Sequence, residues 1–256
     1  MTNININKNN SIMALQELVE QNISTKLSYM PESFNAQQQQ ALELFKQRLF
    51  LEKTIDEAIS FNKNINFPNE NKNLHLATTA EDLIDVFKLR SDVYGSINYQ
   101  EEFPDEIEGL NFDKYDSNSA IVFIKNNKII TGTTRLIFDS TNKLPSENKF
   151  SFNSIREKYS VIGELSRLIV RNENKGLSLE FKYIMKAIYL LFMNNNIDIT
   201  LLSIINEHYK LYTKFGGSEI INDYGDYGKL GHSVITLAWN PSQVSPFFKK
   251  AFLGQK

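Results

Sequence analysis

The chain contains no cysteine in 256 residues, which excludes disulfides, thiolate metal sites and a cysteine nucleophile together. Its three histidines, His75, His208 and His232, stand far apart without ligand spacing, so no metal site is expected. No Gly-x-Ser-x-Gly string occurs, so a nucleophile elbow is absent, although residue order alone leaves a Ser-His-Asp set open. Charge of one sign is lacking too. A net charge of -2 provides no global basic field, and nucleic acid is not expected as a partner. No apolar run approaches the roughly 20 residues of a membrane span. Met1 is followed by Asn, Ile and Lys rather than by a leader-like apolar stretch. A cytoplasmic protein is expected, with peripheral membrane contact left open.

What is present is a 41% hydrophobic chain, enough for one substantial core and an accessory segment. Ile12, Leu15, Val19, Ile23 and Leu27 recur at helical spacing up to Pro31. A longer helix is expected from about Asn35, with Leu42, Phe45, Leu49, Ile55 and Ile59 along one side. These two helices read either as a hairpin packed on the main domain or as a docking element for a partner or membrane surface. Their mixed Glu and Lys face argues against a membrane. Residues 62–72, rich in Asn with Pro68, read as a linker. The expected division is therefore a helical extension over residues 1–70 and a main domain over 71–256.

The main domain alternates strand and helix. A strand is expected at Leu74–Ala77, then a helix over Ala80–Val93 capped by Thr79 with Glu81 and Asp82 in its first turn. A loop rich in Tyr, Glu and Asp follows. A hairpin is expected over residues 120–138 across Asn126–Asn127, and a strand over Val161–Arg171. A strong helix spans Ser178–Met193, a strand Ile199–Ile205, and a short helix Glu207–Lys214 ending at Gly216–Gly217. Two closing strands lie at Ser218–Ile221 and Ser233–Trp239. The order predicts an α/β (α+β) layered domain with a mixed sheet and helices on its faces.

Two expected strands carry charge where a core strand should be apolar. Arg135 interrupts Thr131–Leu136, and Glu164 and Arg167 interrupt Gly163–Leu168. A charge in such a place is costly unless it is paired or used, which points to a polar site built on the sheet. Residues 164 and 167 have odd spacing and would face opposite sides of a regular strand. A β-bulge near Ser166 would turn them to one face and free a backbone N–H.

The string Asn206-Glu-His-Tyr-Lys-Leu-Tyr-Thr-Lys-Phe-Gly216 resembles the late helix motif of the GNAT acyltransferase superfamily. A narrower set resembles the acyl-homoserine-lactone synthases and long-chain N-acyl amino acid synthases. In order it comprises Arg90 in a helix, Glu101 and the Asp113-x-x-Asp116 pair in a loop, Arg135 in a strand, and Glu164-x-x-Arg167 in the next strand. The set covers roughly residues 73–240. Lactone synthases carry a Trp in the loop after the first helix; here the only Trp is Trp239, and the loop offers Tyr94, Tyr99 and Phe103. The resemblance therefore leans toward the amino acid branch. It implies a GNAT-like, mostly antiparallel sheet and a cytoplasmic N-acyltransferase that moves a fatty acyl group from a thioester on acyl carrier protein, or on CoA, to an amino acid amine. Two alternatives stand beside it: a lactone synthase using S-adenosylmethionine, and a non-catalytic GNAT-like binding module.

The same resemblance suggests roles. Glu164 is the first candidate base and Glu101 the second, with Arg167 beside them and Tyr212 as proton donor to the departing thiolate. Arg90, Asp113, Asp116 and Arg135 would bind the amino acid, Arg to its carboxylate and Asp to its ammonium, or else would only pin the loop. Leu168 and Val170 would pair with pantetheine amides like an added strand. Arg171, Lys175 and Gly176 would receive the phosphate at the following helix. Glu173 stands where the GNAT pyrophosphate loop has Arg or Gln, which favours a carrier protein over CoA. Lys182 and Lys186 would either help dock that acidic carrier or form a merely solvated helix face, and Phe247, Phe248 and Phe252 would cap the core or line an acyl tunnel. No permanently bound cofactor and no metal are expected.

Overall fold

The computed structural model describes residues 32–69, 71–140, 143–171, 178–224 and 229–255, with Glu17 and Glu20 besides. The helix expected over residues 12–27 lies outside the described residues except at those two positions. The first described element is a long helix, α1, Glu32–Asn64, starting a few residues before the expected position. Contacts divide the chain into Met1–Asp56 and Glu57–Lys256. In the first unit, the Lys46 ammonium lies 3.4 Å from Glu43 one turn earlier on α1.

In the second unit, the last turns of α1 bind the sheet through a buried amide. Asn62 Nδ2 donates to Ser119 O at 3.0 Å, and Asn62 Oδ1 accepts from Ile121 N at 2.9 Å. The side chain thus satisfies strand backbone groups that would otherwise lack partners. Phe61 meets Phe138 edge-on at 5.2 Å.

A seven-stranded sheet follows, in the order β1-β2-β3-β4-β5-β7-β6. Its strands are β1 Leu74–Leu76, β2 Ser119–Asn126, β3 Ile129–Phe138, β4 Ile162–Val170, β5 Ile199–Ile205, β6 Ser218–Tyr224 and β7 Val234–Trp239. Every neighbouring pair is antiparallel except β4 and β5. The β2–β3 turn falls one residue later than expected. Asn127 and Lys128 hold φ of 48° and 70°, the pair of positive angles that a two-residue type I′ loop requires.

Helix α2, Ala80–Ser96, starts where its cap predicts: Thr79 Oγ1 accepts from Asp82 N at 3.2 Å. A short helix, α3, Asn153–Lys158, and a 3₁₀ turn, Pro145–Asn148, occupy the β3–β4 connection. Helix α4, Leu179–Asn194, is capped by Ser178 and makes the crossover between the parallel strands. Its buried side chains Ile184, Met185, Ile188 and Leu191 pack on Ala120, Val122, Ile124, Leu136 and Leu165.

The short helix expected over Glu207–Lys214 is a single α turn, α5, Tyr209–Tyr212, between two 3₁₀ turns. At its end Gly217 has φ of 72°, and an added Cβ would sit 2.4 Å from Asn240 O, so glycine is required there. The chain closes with a short helix, Pro246–Phe248, and a π turn, Lys249–Leu253. Phe248 and Phe252 stack at 4.6 Å inside the α4-side core, whereas Phe247 is exposed.

Strand register splits the sheet. β4 and β5 pair only through Ile162–Leu165 and Ile199–Leu202. Beyond those residues β4 stays with β3 and β5 stays with β7, so the sheet opens between the carboxyl halves of the two parallel strands. The face opposite α4 carries Ile137, Ile162, Ile199 and Leu201, packed on Tyr115, Leu144, Phe152 and Ile155. The charged residues lie on that face.

Candidate active site

The bulge in β4 brings the site together. Arg135 pairs with Ser166 and Thr133 with Ile169, so β4 carries one more residue than β3 across this stretch. The extra residue lies at Arg167–Leu168, and Arg167 adopts φ of 54°, a left-handed conformation uncommon for a residue with a long side chain. The irregularity therefore falls one position after the expected one. Its effect is that Glu164, Ser166 and Arg167 share a face with Arg135 despite their odd spacing.

The loop Asp113–Asp116 lies beside that face and is closed on itself. Asp113 N donates to Asp116 Oδ2 at 2.9 Å, and Tyr115 N donates to Asp113 Oδ1 at 2.9 Å. This arrangement presents two carboxylates to three guanidinium groups. Arg90, fully buried on α2, holds Asp116 Oδ1 at 2.8 Å. Arg135 binds both oxygens of Asp113, at 2.6 and 2.8 Å, and lies 3.0 Å from Asp116. Arg167 reaches Asp113 Oδ2 at 3.0 Å. Arg135 Nε also donates to Ser166 Oγ at 2.8 Å. The Arg167 guanidinium lies 4.4 Å from the centre of the Phe103 ring and 5.3 Å from that of Tyr94, where cation–π attraction holds it.

Burial alone would raise the Asp113 carboxyl, but Arg135 and Arg167 hold it well below the usual carboxylate range. Burial lowers Arg90, against the pull of Asp116. Three guanidinium groups meet the two carboxylates of this loop, and Glu164, which Arg135 draws toward ionisation, is a third carboxyl on the face. Arg90 Nε, Arg90 Nη2 and Arg167 Nη1 are buried donors without a hydrogen-bond partner among the described residues.

Glu164 belongs to the same face but has a different partner. Its Oε1 accepts from Ser146 Oγ at 2.8 Å and its Oε2 from Ser146 N at 3.1 Å. Only 4% of the residue is exposed. Burial pushes its carboxyl up to about 7, against the two Ser146 hydrogen bonds and the Arg135 cation. A carboxyl poised near neutrality in a closed site suits proton uptake from an incoming nucleophile.

The other expected residues divide. Glu101 stands apart from the cluster: its carboxylate is exposed and lies 3.7 Å from Lys229, because the loop turns its neighbour Glu102 inward instead, to Lys149 and to Lys229 N. Tyr212 is buried in the α4-side core against Phe215, and desolvation raises its phenol, which keeps its proton. Arg171 pairs with Asp92 at 2.5 Å. Its backbone N–H donates to Thr131 O, so in the alternating pattern of the ladder the backbone groups of Val170 point away from β3, toward the opened gap. Leu168 sits within the bulge. Lys175 and Gly176 lie outside the described residues. Lys182 and Lys186 are half-buried on α4.

Sequence reasoning missed Ser146. It lies in the β3–β4 connection, where Ser, Asn, Pro and Lys alternate with single aromatics and no period emerges. The only local signal was Pro145-Ser146-Glu147, a turn-like string.

A sheet that opens between two parallel strands, with a charge cluster beside the opening, is the architecture of a GNAT-like fold. More particularly, residues 85–240 match the family described as N-acyl amino acid synthase FeeM, and the chain belongs to that family. It is an enzyme of N-acyl transfer. Among solved structures, the chain is similar to FeeM, an N-acyl amino acid synthase from uncultured soil microbes, with 15% identity and a TM-score of 0.53 over 70% of this chain and 93% of that one. It is also similar to BjaI, a CoA-dependent acyl-homoserine lactone synthase, with 14% identity and a TM-score of 0.52 over 68% of this chain and 82% of that one. These two likenesses bear on the fold. No curated protein sequence matches the chain. Among the described residues, no helix is long and apolar enough to cross a membrane.

Proposed function

We propose that the enzyme transfers a fatty acyl group from a phosphopantetheine thioester, carried by acyl carrier protein, to the α-amine of an amino acid. The observation that carries this reading is the cluster's spare donor capacity: Arg90, Arg135 and Arg167 pair with Asp113 and Asp116, and among the described residues Arg167 Nη1 remains a buried donor without a hydrogen-bond partner. A carboxylate from an acceptor would accept from that guanidinium. A zwitterionic amino acid supplies that carboxylate together with an amine.

In this reading Glu164 takes the proton that the ammonium must lose before its nitrogen can attack. The N–C bond forms and the C–S bond breaks. Of the two protons the ammonium sheds, one goes to Glu164 and the other restores the proton that Tyr212, the candidate donor, gives to the leaving thiolate. The backbone of the β4 bulge offers an N–H for the oxyanion, and the Val170 backbone offers pairing for the pantetheine amides. Glu173, at the sequence position where the GNAT pattern has Arg or Gln, and the engagement of Arg171 by Asp92 weaken the case for a CoA pyrophosphate cradle and favour the carrier-bound donor.

The test is incubation of purified protein with acylated carrier protein, or with acyl-CoA, and a mixture of amino acids, read by mass spectrometry. An N-acyl amino acid and stoichiometric free thiol support the reading. Folded protein that yields none with either donor, or that releases methylthioadenosine from S-adenosylmethionine instead, refutes it.

A further inference from the structure

The β3–β4 connection holds a second polar assembly that the charge cluster does not include. Arg156 of α3 donates through Nε to Glu147 Oε1 at 2.8 Å and through Nη2 to Asp139 Oδ1 at 3.0 Å. Glu147 Oε2 in turn accepts from Leu144 N at 2.8 Å. These bonds fix the 3₁₀ turn Pro145–Asn148 at both ends, and the turn delivers Ser146 to Glu164. Ser146 is itself only 3% exposed.

Its two donors behave differently. A backbone N–H can only donate, so the 3.1 Å bond to Oε2 survives whether Glu164 is ionised or protonated. The hydroxyl donates to the carboxylate, and after rotation it can accept from the carboxylic acid. One residue therefore holds the carboxyl in a fixed orientation while its proton comes and goes.

We propose that Ser146 is a positioning residue for acyl transfer, holding the Glu164 carboxyl in both protonation states and favouring the ionised one. The inference rests on the reading of Glu164 as the base. The charged groups facing Glu164 are Arg135 from β3, which favours ionisation, and Glu147 from the turn, which opposes it. Arg167 lies beyond the bulge on the same strand. None of them changes when the Ser146 hydroxyl is removed.

The experiment is the pH profile of kcat/KM for the amino acid acceptor in wild type, Ser146→Ala, Ser146→Thr and Glu164→Gln. Without the hydroxyl the ionised carboxyl loses one charge-assisted hydrogen bond, so the rising acidic limb should move up by about one pH unit. The rate near pH 7 should fall roughly fivefold, approach a roughly tenfold loss at lower pH, and return toward the wild-type value on the alkaline plateau. Thr restores the hydroxyl and should restore the limb. Ser146→Gly repeats the measurement if the alanine variant is insoluble. An unmoved limb, or an equal loss at every pH, overturns the role of Ser146 when Glu164→Gln is inactive. A Glu164→Gln enzyme with wild-type rate and profile overturns the base reading itself, and the Ser146 inference with it.

Discussion

Replacing Glu164 by Gln should remove most of the activity and yet make the protein harder to unfold at alkaline pH. The ordinary value for this carboxyl is 4.5, and burial raises it to about 7 in the fold. Between those values the folded chain holds a proton that the unfolded chain releases. Stability therefore falls as pH rises through that window, and the loss is complete above about pH 7. At about 1.4 kcal/mol per pH unit, the distance from 4.5 to about 7 corresponds to about 3 kcal/mol in total. Gln carries no charge to desolvate. Its carbonyl can accept from Ser146 N, and its amide can donate to Ser146 Oγ. The stability difference between variant and wild type should therefore swing by roughly 2–3 kcal/mol in the variant's favour from pH 5 to pH 8. Urea denaturation at several pH values, followed by Trp239 fluorescence, measures the swing. The same variant should lose about 10²- to 10⁴-fold in kcat/KM, the range that a general base contributes. A stability difference that does not change with pH would refute the claim that Glu164 is held as a costly buried carboxyl.

Asp116→Ala should cost about 3–5 kcal/mol in urea denaturation, because it leaves the fully buried Arg90 without its ion-pair partner among the described residues; a cost below about 1 kcal/mol would show that the pair does not hold the loop. Arg167→Lys should raise the acceptor KM by about tenfold or more with a small change in melting temperature, since an ammonium loses the planar stacking on Phe103 and the fork of donors toward Asp113 and a carboxylate. An unchanged KM would remove Arg167 from acceptor binding. Gly217→Ala should lower the melting temperature by several degrees, because φ is 72° there and the new methyl would meet Asn240 O at 2.4 Å.

The framework was readable because its signals are local. Thr79 and Ser178 cap their helices through their own side chains, and the α4 stripe at Ile184, Met185, Ile188 and Leu191 has helical period over about two turns. The irregular connection was not readable for the opposite reason. Asn153–Lys158 is under two turns long, and the Pro145–Asn148 turn is held by Arg156 and Glu147 across the loop rather than by sequence period. Glu101 and Glu102 show the same limit at a single residue. Both are acidic neighbours in one loop, and only the path of the backbone decides which of them faces Lys149.

By itself the sequence determined the ionisable residues Arg90, Asp113, Asp116, Arg135, Glu164 and Arg167, their order along the chain, and the strand patterns that make charge at positions 135, 164 and 167 anomalous. It also implied that a bulge must exist if residues 164 and 167 are to work on one face. Only the tertiary structure decided where that bulge falls, that the β4–β5 pairing stops at Leu165 and Leu202, and that a serine from a connection without pattern meets Glu164. The physical reason is one of range. Periodicity and capping are settled within a few residues of chain, whereas strand register, burial and the value to which a carboxyl is pushed depend on groups brought together from distant parts of it.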